Sequence, residues 1–191
     1  MNAQAVLDFW FLPPTDAAYG QARVQWFRKD GAFDALIVQR FGDLIVTAIA
    51  GGLRDWEATP QGALARIIVL DQLTRNAFRD TPQAFAGDAQ ALALARQLTE
   101  SGADQSLPPM QRAFAYFPFE HAEDVAMQAR AVQLFQLLSQ AHAGFDNMFD
   151  YALRHQEIIA RFGRFPHRNA ILGRESTPEE AVFLRQPGSR F

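Results

Sequence analysis

Several ionisable side chains in this sequence stand where helical periodicity calls for apolar ones, and that mismatch is the first pointer to chemistry. Over residues 60–79, Leu64, Ile67 and Ile68 form one apolar stripe, the next position on it is Asp71, and Arg75 lies a turn further on. A carboxylate on a core-facing stripe is costly unless paired. Asp71 is therefore expected to bond Arg75 or a group from elsewhere, either as a structural ion pair or as a carboxylate that orients a ligand or moves a proton. His155 repeats the pattern, sharing a stripe with Tyr151, Ile158, Ile159 and Phe162. It reads as a hydrogen-bonded core residue or as a proton-transfer group.

A third group is Phe119-Glu-His-Ala-Glu-Asp124, directly after Pro118, with Gln128 one turn below Asp124. If this stretch opens a helix at residue 119, Glu120, Glu123 and Asp124 share one face near the positive end of the helix dipole. Acidic first turns are ordinary capping, yet crowded carboxylates beside His121 can also shift one another toward acid/base use. Neither His-Glu-x-x-His nor Glu-x-x-His occurs, so no metal site is expected. The catalytic candidates are Asp71, Glu120, His121, Asp124 and His155.

The least ordinary stretch is residues 161–174, Arg-Phe-Gly-Arg-Phe-Pro-His-Arg-Asn-Ala-Ile-Leu-Gly-Arg, with four arginines, one histidine, two glycines and two phenylalanines. A passive surface loop has little reason to hold Phe162, Phe165, Ile171 and Leu172. These should anchor it while its guanidinium groups turn inward or into a cleft. Arginine forks and glycine-permitted backbone N–H groups are the usual parts of a phosphate or carboxylate site. The ligand-binding candidates are Arg75, Arg161, Arg164, His167, Arg168, Asn169 and Arg174. The alternative is that Arg164, Arg168 and Arg174 pair with the protein's own acids.

The elements that must position these groups are helical. No segment keeps the period-two alternation of a strand. Thr59-Pro60, Thr81-Pro82 and Thr177-Pro178 each set an N-cap hydroxyl before a first-turn proline, and Glu180 completes a capping box with Thr177. Gly51-Gly52, Gly102 and Gly163 mark helix ends. The punctuation predicts an all-α fold of about eight or nine antiparallel-packed helices, at 3–11, 16–29, 31–50, 60–79, 82–101, 108–116, 119–141, 145–162 and 177–185. No linker or internal repeat divides the chain, so residues 1–191 are expected to form a single domain.

Composition narrows the function classes. With no cysteine, disulfides, thiolate zinc sites and cysteine nucleophiles are all excluded, and a reducing, cytoplasmic setting is expected. The apolar stretch from Val6 to Leu12 is broken by Asp8 and too short for a membrane span or a signal core. Net charge is −3, which argues against nucleic acid as a partner. From Arg154 onward seven arginines face four glutamates, so a basic closing segment, +3, follows an acidic body, −6. Lys29 is the single lysine, which leaves arginine, the residue of forked anion contacts, to carry almost all the positive charge.

Four segments together, Val6-Leu-Asp-Phe-Trp-Phe, Leu70-Asp-Gln-Leu-Thr-Arg-Asn, Phe117-Pro-Phe-Glu-His-Ala-Glu-Asp and Arg161-Phe-Gly-Arg-Phe-Pro-His-Arg-Asn, resemble the bacterial domain of unknown function 924, from Val6 to Leu184. Leu73-Thr74 stands where that family often has Phe-Pro, and Ala122 where it often has Ser. The resemblance implies an all-α fold similar to the tetratricopeptide-like superfamily, and it brings no established activity, substrate or catalytic residue. The leading expectation is a cleft for a small phosphate- or carboxylate-bearing ligand, with acid/base or hydrolytic chemistry and no assigned cofactor. The alternative is a module for a protein or peptide partner, with Trp10, Trp26 or Trp56 lining a groove and the polar cluster purely structural. Oligomeric state is not predicted, and no membrane partner is expected.

Overall fold

Residues 1–189 are described by a computed structural model, and every regular element among them is helical. Contacts divide the chain into two compact units, one of residues 1–79 and 83–118, the other of 80–82 and 119–191. No helix among the described residues is long and apolar enough to cross a membrane.

In the first unit, α1 (Ala3–Phe11) starts at Asn2, whose side chain accepts from the Ala5 N–H, and buries Val6, Leu7, Trp10 and Phe11. The helix expected over 16–29 is replaced by turns and a short 3-10 turn, Val24–Trp26. The reason lies in α1, whose last carbonyls need donors. Arg23 reaches the Phe9 and Trp10 oxygens at 2.7 Å each, and the Trp26 indole N–H reaches Trp10 at 3.0 Å. Trp10 and Trp26 are thus spent in an aromatic core with Phe11 and Phe114, and Trp56 is half-buried, which weighs against a tryptophan-lined docking groove.

Helix α2 (Gly31–Ile49), capped by Asp30, buries Phe33, Ile37, Phe41, Ile45 and Ala48 at helical spacing. Helix α3 (Pro60–Ile67), capped by Thr59, runs into a π-helical stretch, Ile68–Leu73, before α4 (Thr74–Ala77). The Thr74 hydroxyl donates to the Val69 carbonyl at 2.7 Å inside that widened turn. The stretch expected as one helix from 82 to 101 is a 3-10 turn, Pro82–Phe85, followed by α5 (Asp88–Glu100). Gly51 and Gly102 take the left-handed conformation expected of helix ends.

Helix α6 (Pro109–Glu120) outruns its expected end at 116 and contains Pro118. In the second unit α7 (Val125–Ala141) and α8 (Asp146–Phe162) pack as a hairpin, and α9 (Pro178–Phe183) carries the capping box of Thr177 and Glu180. Ile158, Ile159 and Phe165 form a small core with Phe162 and Phe183 against it. Tyr151, expected on the buried stripe of α8, is 48% exposed.

Candidate functional site

The first unit holds Asp71 and Arg75. Asp71 is fully buried on the π-helical turn, takes a 2.6 Å bond from the Gln72 amide, and lies 3.4 Å from Arg75. The same guanidinium forks onto Asp88 at 2.7 and 3.1 Å and lies over the Phe85 ring. Burial alone would lower the Arg75 pKa, but Asp71 and Asp88 outweigh it and hold the group above its ordinary value. Of the two sequence readings, this geometry is that of an ion-pair network. Two hollows occur in this unit, one of about 160 Å³ bordered by Glu57, Thr59, Leu94, Gln97, Leu98 and Ser101 among others, the other of about 380 Å³ around Arg96 and Glu100. None of the candidate residues lines either.

The second unit corrects the reading of residues 119–124. Glu120 is the last residue of α6 and Asp124 the N-cap of α7, its carboxylate accepting from the Met127 N–H at 2.9 Å. The two therefore share no helix face. An Asp at N-cap satisfies one of the orphan donors that open α7, and α6 runs through Pro118 to Glu120 before the chain breaks. Gln128 closes the linker by donating to the Glu120 and Ala122 carbonyls, each at 2.7 Å.

The pairing at the centre of this unit is Glu120 with His155. Both are buried, at 3% and 5% exposure, and Glu120 Oε1 lies 3.1 Å from His155 Nδ1. Nδ1 also lies 2.8 Å from the Tyr151 carbonyl. A carbonyl only accepts, so Nδ1 carries the proton and Nε2 is the ring's acceptor. Burial first, and then the positive charge of His121, Arg168 and His167, pull the His155 pKa down to about 3, against the upward pull of the Tyr151 bond. The imidazole is thus neutral at physiological pH. Phe165 joins the group: its ring meets His155 edge-on at 5.4 Å and His167 at 5.7 Å, and the Arg168 guanidinium lies over it at 4.5 Å. Arg168 is 7% exposed.

Arg161, Arg164 and Arg174 of the loop pair with acids of the same unit. Arg164 forks onto Glu180 at 2.7 and 2.8 Å, and Asn169 adds a 3.2 Å bond to the same carboxylate. The Arg164 bonds first, together with the Thr177 N–H and Asn169, hold Glu180 down to about 2 despite burial. Arg174 forks onto Glu123 at 2.6 and 2.9 Å, and the Phe165 N–H donates to Glu123 at 2.8 Å. Burial would raise Glu123, but these bonds keep it below the usual range. Arg161, 48% exposed, pairs with Glu179. Sequence reasoning placed the arginines in one loop but missed Glu123 as a partner, and it read Glu180 only as half of a capping box. No group of three or more Asp, Glu or His side chains among the described residues is arranged to hold a metal ion.

A profile described as bacterial protein of unknown function, DUF924, matches residues 6–188. The chain belongs to the DUF924 family. A solved structure titled protein of unknown function ATU0120, from Agrobacterium tumefaciens, is similar to this DUF924 chain at 39% identity, covering 96% of each chain with a TM-score of 0.82. Comparison with curated proteins finds no match. The DUF924 site must accordingly be read from its own geometry.

Proposed function

We propose that the second unit binds a small anion, phosphate or carboxylate, beside the Glu120–His155 pair, with Arg168, His167 and His121 supplying the attraction. The observation that carries this reading is that a buried imidazole, its Nδ1 held by the Tyr151 carbonyl and the Glu120 carboxylate, packs on the Phe165 ring over which the Arg168 guanidinium lies. A neutral imidazole with a fixed tautomer gives a site one defined proton acceptor at Nε2, so acid/base or hydrolytic chemistry on the bound anion is the reaction class it fits. Arg161, Arg164 and Arg174 then serve as framework, because carboxylates of the chain already fill their forks. Asp71 and Arg75 belong to this reading only as a separate ion-pair network in the first unit. A cytoplasmic setting, in keeping with the cysteine-free composition, goes with it.

Histidine ring resonances followed during titration with inorganic phosphate, acetate and a phosphomonoester test the proposal. Saturable shifts at His121, His155 and His167, with His142 static, are expected. Resonances that stay unmoved at millimolar concentrations of all three ligands overturn it.

A further inference from the structure

The contacts of Glu180 describe a receptor as much as a structural pair. Its carboxylate receives both forked N–H groups of Arg164 at 2.7 and 2.8 Å and the Asn169 amide at 3.2 Å, and it is 2% exposed. None of these three donors lies on α9, the element that brings the carboxylate; a fourth, the Thr177 N–H at 2.8 Å, belongs to the cap of α9 itself. The donors are set from the other side: Arg164 Nη2 also holds the Glu175 carbonyl at 2.9 Å, and Asn169 accepts from Arg174 at 3.1 Å. Beside this clasp the apolar hold on α9 is modest, with Phe183 meeting Phe162 at 5.1 Å. Two forked bonds plus an amide at one buried carboxylate are the composition of a carboxylate-binding site.

We propose that Arg164 and Asn169 form a carboxylate receptor and that α9 is its tethered occupant, docked through Glu180 and displaceable in principle by a free carboxylate or an acidic segment. This site is separate from the Glu120–His155 pair and does not depend on the reading given above. Tethering gives Glu180 a high effective concentration, so a free carboxylate at low millimolar levels does not compete in the native chain. Removing the internal carboxylate opens the site.

The test is amide hydrogen exchange at Ala181 and Leu184, whose N–H groups bond Thr177 and Glu180 within α9. In Glu180→Ala, protection there should fall at least about tenfold. Formate or acetate in the tens of millimolar should restore much of it, whereas sodium chloride at equal ionic strength should not. In Glu180→Ala/Arg164→Gln the carboxylate effect should vanish. Identical protection in formate and chloride for Glu180→Ala overturns the proposal, as does equal rescue when Arg164 is also replaced. Should Glu180→Ala fail to fold in chloride, its refolding yield in formate against chloride decides in the same way: a higher yield in formate supports the receptor, and equal yields refute it.

Discussion

Replacing His155 by Asn gives the sharpest check on the buried pair, because Asn keeps an N–H near the position of Nδ1 but cannot titrate. In the folded chain burial, with the positive charges nearby, holds His155 at about 3, against 6.5 for an exposed histidine. The unfolded chain therefore binds a proton on this ring between those two values and the folded chain does not. Stability must rise with pH through that window and fall on acidification. One proton of difference is worth about 1.4 kcal/mol per pH unit, so from about pH 8 to about pH 5 the wild type should lose about 2 kcal/mol through His155 alone.

The window above about pH 5 is chosen because the stability contributed by Glu180 and Glu123, both lowered in the fold, is lost as pH falls through the ordinary carboxylate range and below it. Urea unfolding at a series of pH values, each protein referred to its own stability at about pH 8, cancels any offset from the substitution. His155→Asn should thus be flatter than wild type by about 2 kcal/mol over the window. Parallel curves, or a His155 ring resonance that titrates in the folded protein above about pH 5, would refute the claim that this imidazole is held neutral.

Three further outcomes follow from single contacts. A Cβ on Gly87 would lie 2.2 Å from the Leu70 carbonyl oxygen on the π-helical turn, whereas one on Gly42 meets nothing within 4 Å. Gly87→Ala should cost about 3 kcal/mol in urea unfolding, and Gly42→Ala, in the interior of α2, should add about 0.5–1 kcal/mol. Burial and the 2.6 Å bond to Asp104 push the Tyr116 hydroxyl up, so Tyr116→Phe should leave the alkaline absorbance change of the folded protein unaltered below about pH 11. Thr177→Ala removes the side-chain half of the capping box and should cost about 1 kcal/mol, read as lost protection in α9 or as a lower urea midpoint.

What was legible in the sequence is what short-range chemistry decides. The Thr59 cap, the Thr177–Glu180 box and the glycine ends at 51, 102 and 163 involve groups within a turn of one another, and each stands where its spacing put it. The buried positions of Asp71 and His155 were legible for the same reason, since a stripe of neighbours announces the face. The missing helix over 16–29 was not, because Arg23 and Trp26 answer to carbonyls of α1 more than ten residues earlier. Nor does any local pattern mark a π-helical turn, where Thr74 reaches back five residues to Val69.

The arginine loop shows where such reasoning runs out. Its apolar residues announced that the loop is anchored, and Phe165 is indeed fully buried. Which acid each guanidinium meets is set by contacts 16 residues apart for Arg164 and 51 for Arg174, distances over which periodicity carries no information. That choice decides function. A loop arginine whose fork is filled by a glutamate of the same chain holds structure, as Arg164 does on Glu180 and Arg174 on Glu123. The same filled forks also show the chemistry they select, since both N–H groups of Arg164 and the Asn169 amide converge on one carboxylate.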